Sequence, residues 1–553
     1  MSEIELKLAA FPEHIPQFRQ ALESMGMVSA APTSTLNSVY YDSTDLKLQR
    51  QELSLRVGEY EGRHFQTLKS SDLTSGNLLS RGEWEDVIDG DRPDFAAAQT
   101  GPRLYDAIIS EKLRPQFKTT VRRTTIALEP RPSTRIEAAF DEGEIRGAEG
   151  DVSEPLCEIE LKLKSGDPAA IYDVALRLLD VAPLHIETRS KPERGYRLVA
   201  VDGGPMPAVD ASPVALRGSM TVEGVLQNIG RSCISHLLRN EPAALSGQTE
   251  GVHQMRIAAR RLRAALSALK AMIPAEHYRW TLEELKWLAG MLGPARDWDV
   301  FAANLLRPVE RALPVEADLK RLAEAAEQRR RVAYERLKEA IGSQRYTATM
   351  LRLAQWFEGR GWRDQPASEQ AALLFAAIGD VAPGLIERRW RRTRKRSRQF
   401  GKLSQEQRHR LRITLKKLRY TIEFLEDLFD HGEVKALERR LKPLQDDLGQ
   451  LNDITTAHAL VEEVSRHVNE GGNEISRAGG IVLGWHDRGL TDREPKLRKE
   501  VRRLRRAKPF WPRTGLRLRA KVEASRTQER TIAGDQSAVG TTMNNPEAAH
   551  STA

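Results

Sequence analysis

The chain has 553 residues, which suits roughly two to four domains with well-buried cores. Its net charge of +9 and pI near 9.4 point to an anionic partner without choosing among nucleic acid, a membrane surface and a polyanionic substrate. Two cysteines, Cys157 and Cys233, argue against a disulfide framework or a cysteine-based zinc site and for reduced thiols, and no apolar run approaches the ~20 residues of a membrane span.

From residue 3 the chain reads Glu3-Ile4-Glu5-Leu6-Lys7-Leu8, which leaves no room for an export signal, so a cytoplasmic protein with no membrane partner is expected. In a strand, Glu3, Glu5 and Lys7 share one face and Ile4, Leu6 and Leu8 the other. On a helix Glu5 would lie roughly opposite the Glu3/Lys7 pair. A single copy would read as a surface strand or a salt-bridged helical turn. The same six residues recur, however, as Glu158-Ile159-Glu160-Leu161-Lys162-Leu163, and two copies able to aim carboxylates into one site argue for function.

Between and around these copies, periodicity predicts helices over residues 15–25 and 168–179, the second announced by Gly166 and Asp167. Alternation predicts strands over residues 54–57, 65–69, 81–88, 119–128 and 135–141. Many strands without regular helices between them predict an antiparallel sheet or closed barrel rather than a doubly wound fold. The polar residues of these strands are uniform in kind. Arg56, Lys69, Arg81, Arg123 and, further on, Lys191 are positive, while Glu83, Glu85, Glu137 and Asp141 join the four glutamates of the repeated motif. Singly, each reads as a solvated surface charge. Gathered inside a barrel, they could offset one another and a metal-bound polyanion.

Taken in order, the opening ExExK, Tyr40-Tyr41-Asp42, Leu55-Arg56, Thr67-Leu68-Lys69, Arg81-x-Glu83-x-Glu85, Asp141-x-Gly143, the second ExExK and Ser190-Lys191-x-x-Arg194-Gly195-Tyr196 resemble the CYTH family, the triphosphate tunnel metalloenzymes. The resemblance sets a first domain of residues 1–202. Gly58 departs from it, standing where many members carry a second arginine, which bears on phosphate affinity or substrate choice rather than on the fold.

Residues 203–216 are turn-rich and read as a linker. From there to about residue 510 apolar residues recur at three and four, as in Leu411, Leu415, Leu418, Ile422 and Leu425, predicting an all-helical bundle over 217–510. This bundle holds a repeat. The run from Val252 to Arg263 aligns with that from Arg408 to Arg419 at a shift of 156, and at that shift Leu292-Gly293 matches Leu448-Gly449 and Asp297 matches Asp453. On helices, His253, Arg256, Arg260 and Arg263 form one basic stripe and His409, Arg412, Lys416 and Arg419 another. A lone stripe would read as a solvated face. Its repetition in register favours phosphate contact, and metal binding is disfavoured because no acid or cysteine stands at ligand spacing. The two His-x-x-Arg-x-x-x-basic-basic-x-Arg stretches, supported by Leu292-Gly293-x-x-Arg296-Asp297-x-Asp299 and Leu448-Gly449-x-x-Asn452-Asp453, resemble the CHAD family. That resemblance implies an internally duplicated helical domain that binds inorganic polyphosphate. More positive charge lies in residues 388–398 and 496–508, and residues 511–553 lack apolar periodicity and read as a disordered tail.

Together the resemblances imply a CYTH-CHAD inorganic triphosphatase, an enzyme that hydrolyses triphosphate to pyrophosphate and phosphate with Mg2+ or Mn2+. Hard divalent ions want oxygen ligands, and Glu3, Glu5, Asp141, Glu158 and Glu160 are the candidates, with Glu5, Asp141 and Glu160 also the catalytic choices. Lys7, Arg56, Lys69, Arg81, Arg123, Lys162, Lys191 and Arg194 form the expected triphosphate cradle. An adenylate cyclase or thiamine-triphosphatase of the same superfamily would hold a triphosphate alike, and a non-catalytic polyphosphate scaffold is a reading from another class. The carboxylate set argues against the scaffold, and an aromatic content of 6%, with no stacking pattern beside the basic residues, argues against a dedicated single-strand binder and so against a nucleic-acid partner.

Overall fold

A computed structural model describes residues 4–60, 62–71, 81–107, 112–200, 207–467 and 472–511. Glu3, residues 203–206 of the expected linker and everything beyond Trp511 lie outside the described residues. Trp511, assigned to the tail from sequence, is buried, with its ring centroid 5.8 Å from that of Trp390. Among the described residues, no helix is long and apolar enough to cross a membrane.

The N-terminal region is an antiparallel ten-stranded sheet. In chain order the strands are β1 (Ile4–Ala9), β2 (Met27–Ala30), β3 (Ser34–Asp42), β4 (Leu53–Tyr60), β5 (Arg63–Ser71), β6 (Arg81–Ile88), β7 (Arg114–Arg131), β8 (Thr134–Gly147), β9 (Ser153–Ser165) and β10 (His185–Ile186). They pair in the order β10-β1-β9-β8-β7-β3-β4-β5-β6, with β2 beside β7. No pairing joins the two ends of this path among the described residues, yet side chains of β1 and β6 line one cavity, so the sheet curls round. The expected strands are all present; β6 has the expected bounds, while β4, β5, β7 and β8 are longer than alternation alone predicts, β7 and β8 continuing past their charged stretches.

Helices cover the outer face. Leu8, Ile159 and Leu161 alternate with the motif's charges and are fully buried on the side away from them, each stabilising the fold by roughly 1.5–3 kcal/mol. The Ala169–Val181 helix packs against β9 and against the Ile15–Glu23 helix, so both helices expected from periodicity are present. A second cluster of Tyr40, Phe117, Val121, Ile145, Leu156 and Tyr196 fills the sheet's interior near the Lys191–Val199 helix.

The helical region repeats element by element. Thr249–Leu269 and Gln405–Leu425 begin and end 156 residues apart, as do the short 3-10 turns Lys270–Met272 and Glu426–Leu428 that follow. Contact clustering divides the chain into two compact units. The first comprises residues 1–214, 223–371 and 449–494, and the second 215–222, 372–448 and 495 onward. Within the first, the Gln344–Glu358 helix lies on the sheet region's Ala169–Val181 helix, where Gln344 Nε2 donates to the Leu179 carbonyl at 2.7 Å. Residues 207–216 carry no regular structure, as their composition predicts. Val209 is nonetheless held on both sides, its N–H donating to Asn240 Oδ1 at 2.9 Å and its carbonyl accepting from Asn240 Nδ2 at 3.0 Å.

Candidate active site

The two EIELKL copies are hydrogen-bonded neighbours. β1 and β9 pair so that Glu5 stands opposite Lys162 and Lys7 opposite Glu160. An antiparallel ladder laid on its own copy therefore matches each lysine to a glutamate, which favours this register over slipped alternatives. The rows continue across the sheet: Arg123 faces Asp141, which faces Glu158, and Glu137 faces Lys162. On the other wing, Ser54, Lys69 and Glu83 form one row and Arg56, Thr67 and Glu85 the next. Because side chains alternate with period two, these residues share the concave face.

They surround a cavity of about 510 Å³ lined by Glu5, Lys7, Arg56, Lys69, Glu83, Arg123, Asp141, Glu160, Lys162 and Lys191 among others. That volume lies within the ~300–1,000 Å³ common for ligand pockets. The lining holds as many carboxylates as lysines and arginines, but they are not evenly mixed.

One end is a carboxylate cluster. Asp141, Glu158 and Glu160 are buried and each offers an oxygen within 4.8 Å of the others. Arg123 grips Asp141 with two parallel bonds of 2.6 and 2.5 Å and reaches Glu160 at 2.7 Å. Lys191 Nζ contacts all three acids, at 2.7 Å from Asp141, 2.8 Å from Glu160, and in direct contact with Glu158 Oε1. Lys7 lies 3.2 Å from Glu5 and 3.6 Å from Glu160. Burial would raise the Glu160 carboxyl, but Lys191, Lys7 and Arg123 outweigh it and hold the group well below the usual range. Glu158 goes the other way: burial raises it and Lys191 offsets this only in part. The Lys191 ammonium is held well above its ordinary value; burial opposes its charge, and Glu160, Glu158 and Asp141 overcome that.

Lys191 owes its place to a helix that the sequence reading did not foresee. Ser190 and Glu193 form a capping box at the start of Lys191–Val199, with Pro192 in the first turn. Gly195 lets this helix close onto Phe117, since a Cβ there would fall 2.1 Å from the ring, and Tyr196 packs edge-on to the same ring at 5.1 Å. The Ser-x-x-Glu spacing with proline between was the available signal.

The other end gathers cations. Lys69 and Glu83 meet at 2.8 Å. Burial, then the neighbouring Arg56, push the Lys69 ammonium below its ordinary value, and Glu83 only partly restores it. Burial alone would raise Glu83, yet Lys69, Arg56 and Lys162 together lower it. One carboxylate among three cations leaves an excess of positive charge, the electrostatic condition for holding a polyanion.

Other expected residues are placed differently. Arg194 is buried and turned out of the cavity, donating to Glu154 and to the Pro155 carbonyl at 2.8 Å each, with Glu158 at 3.6 Å. Arg81 begins β6, but its side chain lies outside the described residues. Glu137 meets Lys164 at 3.1 Å rather than lining the cavity. Asp42 of the Tyr-Tyr-Asp step is structural, accepting from the N–H groups of Ser43, Leu48 and Gln49. A residue that sequence reasoning missed is Arg239, at the end of the Val222–Arg239 helix. It lines the cavity and makes no ion pair among the described residues.

In the helical region, His253, Arg256, Arg260 and Arg263 are half-buried, as are Arg412, Lys416 and Arg419, and His409 is exposed. Met255, Ala259 and Leu262 are buried between the residues of the first stripe, and Leu411, Leu415 and Leu418 between those of the second. The supporting motif touches its stripe: Arg256 Nη1 donates to the Gly293 carbonyl at 2.8 Å and to Asp297 at 3.2 Å. Burial raises the Asp297 carboxyl, and Asp453, its partner at the 156-residue shift, is close enough to raise it further.

The sequence model of the CYTH domain matches residues 1–196, and that of the CHAD domain matches residues 228–462. The chain is a CYTH domain followed by a CHAD domain. An inorganic triphosphatase of Haemophilus influenzae is 32% identical over 199 residues, 36% of this chain and 55% of that protein, so the chain spans about half the length of that relative. A protein of Mycobacterium tuberculosis strain H37Rv is 23% identical over 544 residues, 92% of this chain and 98% of its own. The crystal structure of the CHAD domain from the plant Ricinus communis aligns with TM-score 0.48 and 26% identity, over 55% of this chain and 98% of its own.

Proposed function

We propose that the CYTH domain hydrolyses inorganic triphosphate to pyrophosphate and phosphate with Mg2+ or Mn2+, and that the CHAD domain binds inorganic polyphosphate. The observation that carries this reading is one cavity with a cation-rich end and an acidic end, where Asp141 and Glu160 line it and Glu158 completes a buried carboxylate triad with them. The triad fits a hard divalent ion, because its donors are three clustered carboxylate oxygens with no sulfur or imidazole among them. Asp141, Glu158 and Glu160 would hold the ion, with Glu5 next to them. When bound, it would neutralise phosphoryl oxygens and lower the pKa of its water.

The chain's own groups supply the rest. Arg56, Lys69 and Lys162 receive the phosphate oxygens and hold the substrate in line. Water attacks the terminal phosphorus, the bridging P–O bond breaks, and pyrophosphate leaves with its charge stabilised by these cations. No serine, cysteine or histidine nucleophile is required. The stripes of the CHAD domain offer repeated, solvent-accessible cations to a longer chain.

The test is to offer the full-length protein tripolyphosphate, ATP, thiamine triphosphate and long-chain polyphosphate with Mg2+ or Mn2+, and to resolve the products. Pyrophosphate and phosphate formed fastest from tripolyphosphate support the reading; cyclic AMP from ATP, or preference for thiamine triphosphate, replaces it.

A further inference from the structure

The carboxylate triad already contains a cation. An ammonium has three N–H donors, and each of the three acids accepts from Lys191. Its nitrogen therefore sits among the same oxygens that a divalent ion would need. Cations already crowd these acids. Lys191, Arg123 and Lys7 stand among them, Lys7 nearer Glu5 at 3.2 Å than Glu160 at 3.6 Å, and Arg194 approaches Glu158 at 3.6 Å from outside the cavity. Adding a divalent ion would bring two more positive charges into this buried group, an arrangement disfavoured away from water unless a resident cation leaves. Of the three cations, Arg123 is fixed by its two-pronged grip on Asp141. Lys191 holds the acids through a single ammonium at the end of a flexible stem that borders the cavity, rising from a helix start set by the capping box.

We propose that Lys191 is the exchangeable resident cation of the triad: it neutralises the acids until a divalent ion enters, then turns toward the phosphate chain, so that metal and polyanion bind cooperatively. Loss of Lys191 from the triad removes one excess charge on metal entry, and an arriving polyphosphate removes the remainder while giving the displaced ammonium new acceptors. This rests on the triphosphatase reading above, and it makes Lys191 a positioning residue whose removal has an unusual sign. A lysine that stayed among the acids would also tighten metal binding when lost, by removing a like charge, so the discriminating readout is the polyanion-dependent gain in metal affinity, which an exchanging Lys191 carries and its loss removes.

The experiment is Mn2+ titration of the full-length protein, followed by electron paramagnetic resonance of the free ion, with and without the non-hydrolysable imido analogue of triphosphate. The expected result is that Lys191→Met binds Mn2+ about tenfold tighter than the native protein when no polyanion is present, whereas Lys191→Arg does not. With the analogue, native affinity should rise by about tenfold, and Lys191→Met should show little further gain. Equal or weaker Mn2+ binding by a folded Lys191→Met, verified by circular dichroism, overturns the proposal. If Lys191→Met does not fold, absence of any analogue-dependent gain in the native protein overturns it instead. Mn2+ binding that Glu160→Gln leaves intact overturns the triphosphatase reading itself, which separates the two failures.

Discussion

The cavity of the CYTH domain and the stripes of the CHAD domain both present lysine and arginine to solvent-accessible space, yet they differ in what stands beside those cations. In the cavity, Arg123, Lys191 and Lys69 each touch a carboxylate, and several of those carboxylates are buried. Along the stripes, Arg256 meets an acid, Asp297 at 3.2 Å, and that contact joins it to a neighbouring helix. Acid beside base can hold a divalent ion against a polyanion, whereas base in a row can only hold the polyanion. Chemistry is therefore expected in the first region and retention in the second.

Changes at the triad should separate the regions most widely. Asp141→Asn removes an acceptor shared by Arg123 and Lys191, and metal-dependent phosphate release should fall by about two to three orders of magnitude while long-chain binding persists. A thermal melt of the same variant checks that the buried charges left behind have not unfolded it. Next in size, Arg56→Gln should lower kcat/KM for tripolyphosphate by about ten- to a hundredfold, mostly through KM, because a charged hydrogen-bond donor leaves the cation-rich end.

Changing Arg260 and Lys416 to glutamine together should act on the other side of the comparison. Long-chain polyphosphate binding should weaken and its salt dependence become shallower by roughly one unit of logarithmic slope per lost contact, with the loss falling on retention rather than on triphosphate release. The smallest expected effect is on pH. Lys69 is held below the ordinary 10.5 by burial and by Arg56, so its charge is lost as pH rises through that lowered value. The alkaline fall in kcat/KM should therefore begin below the range of a free lysine, and Lys69→Arg, which stays charged, should move it upward.

Much of this was legible in the sequence because it rests on period and repetition. Alternation placed Glu5, Lys7, Glu160 and Lys162 on one face, and the shift of 156 foretold helices that begin and end in register. The pairing of the two EIELKL copies was equally implicit, since an antiparallel ladder matches their opposite charges, but adjacency in the sheet is a topological fact that strand periodicity does not carry. The helix at Lys191 was hidden because its motif was read for charge rather than for its capping spacing. Arg194 shares a helix face with Lys191, yet it faces away from the cavity because Glu154 and the Pro155 carbonyl take its donors, contacts that depend on where β9 lies and that no local pattern shows. Arg239 could not be found from local pattern, since its place at the cavity depends on packing between distant helices.

The most direct measurement of metal-dependent triphosphate hydrolysis is phosphate release from tripolyphosphate by the full-length protein, with and without Mn2+, for the native chain and for Glu160→Gln. The native chain should require the ion, and Glu160→Gln, with the triad reduced to two carboxylates, should retain under about one per cent of the rate. Release that needs no divalent ion, or that survives in Glu160→Gln at the native rate, would contradict it.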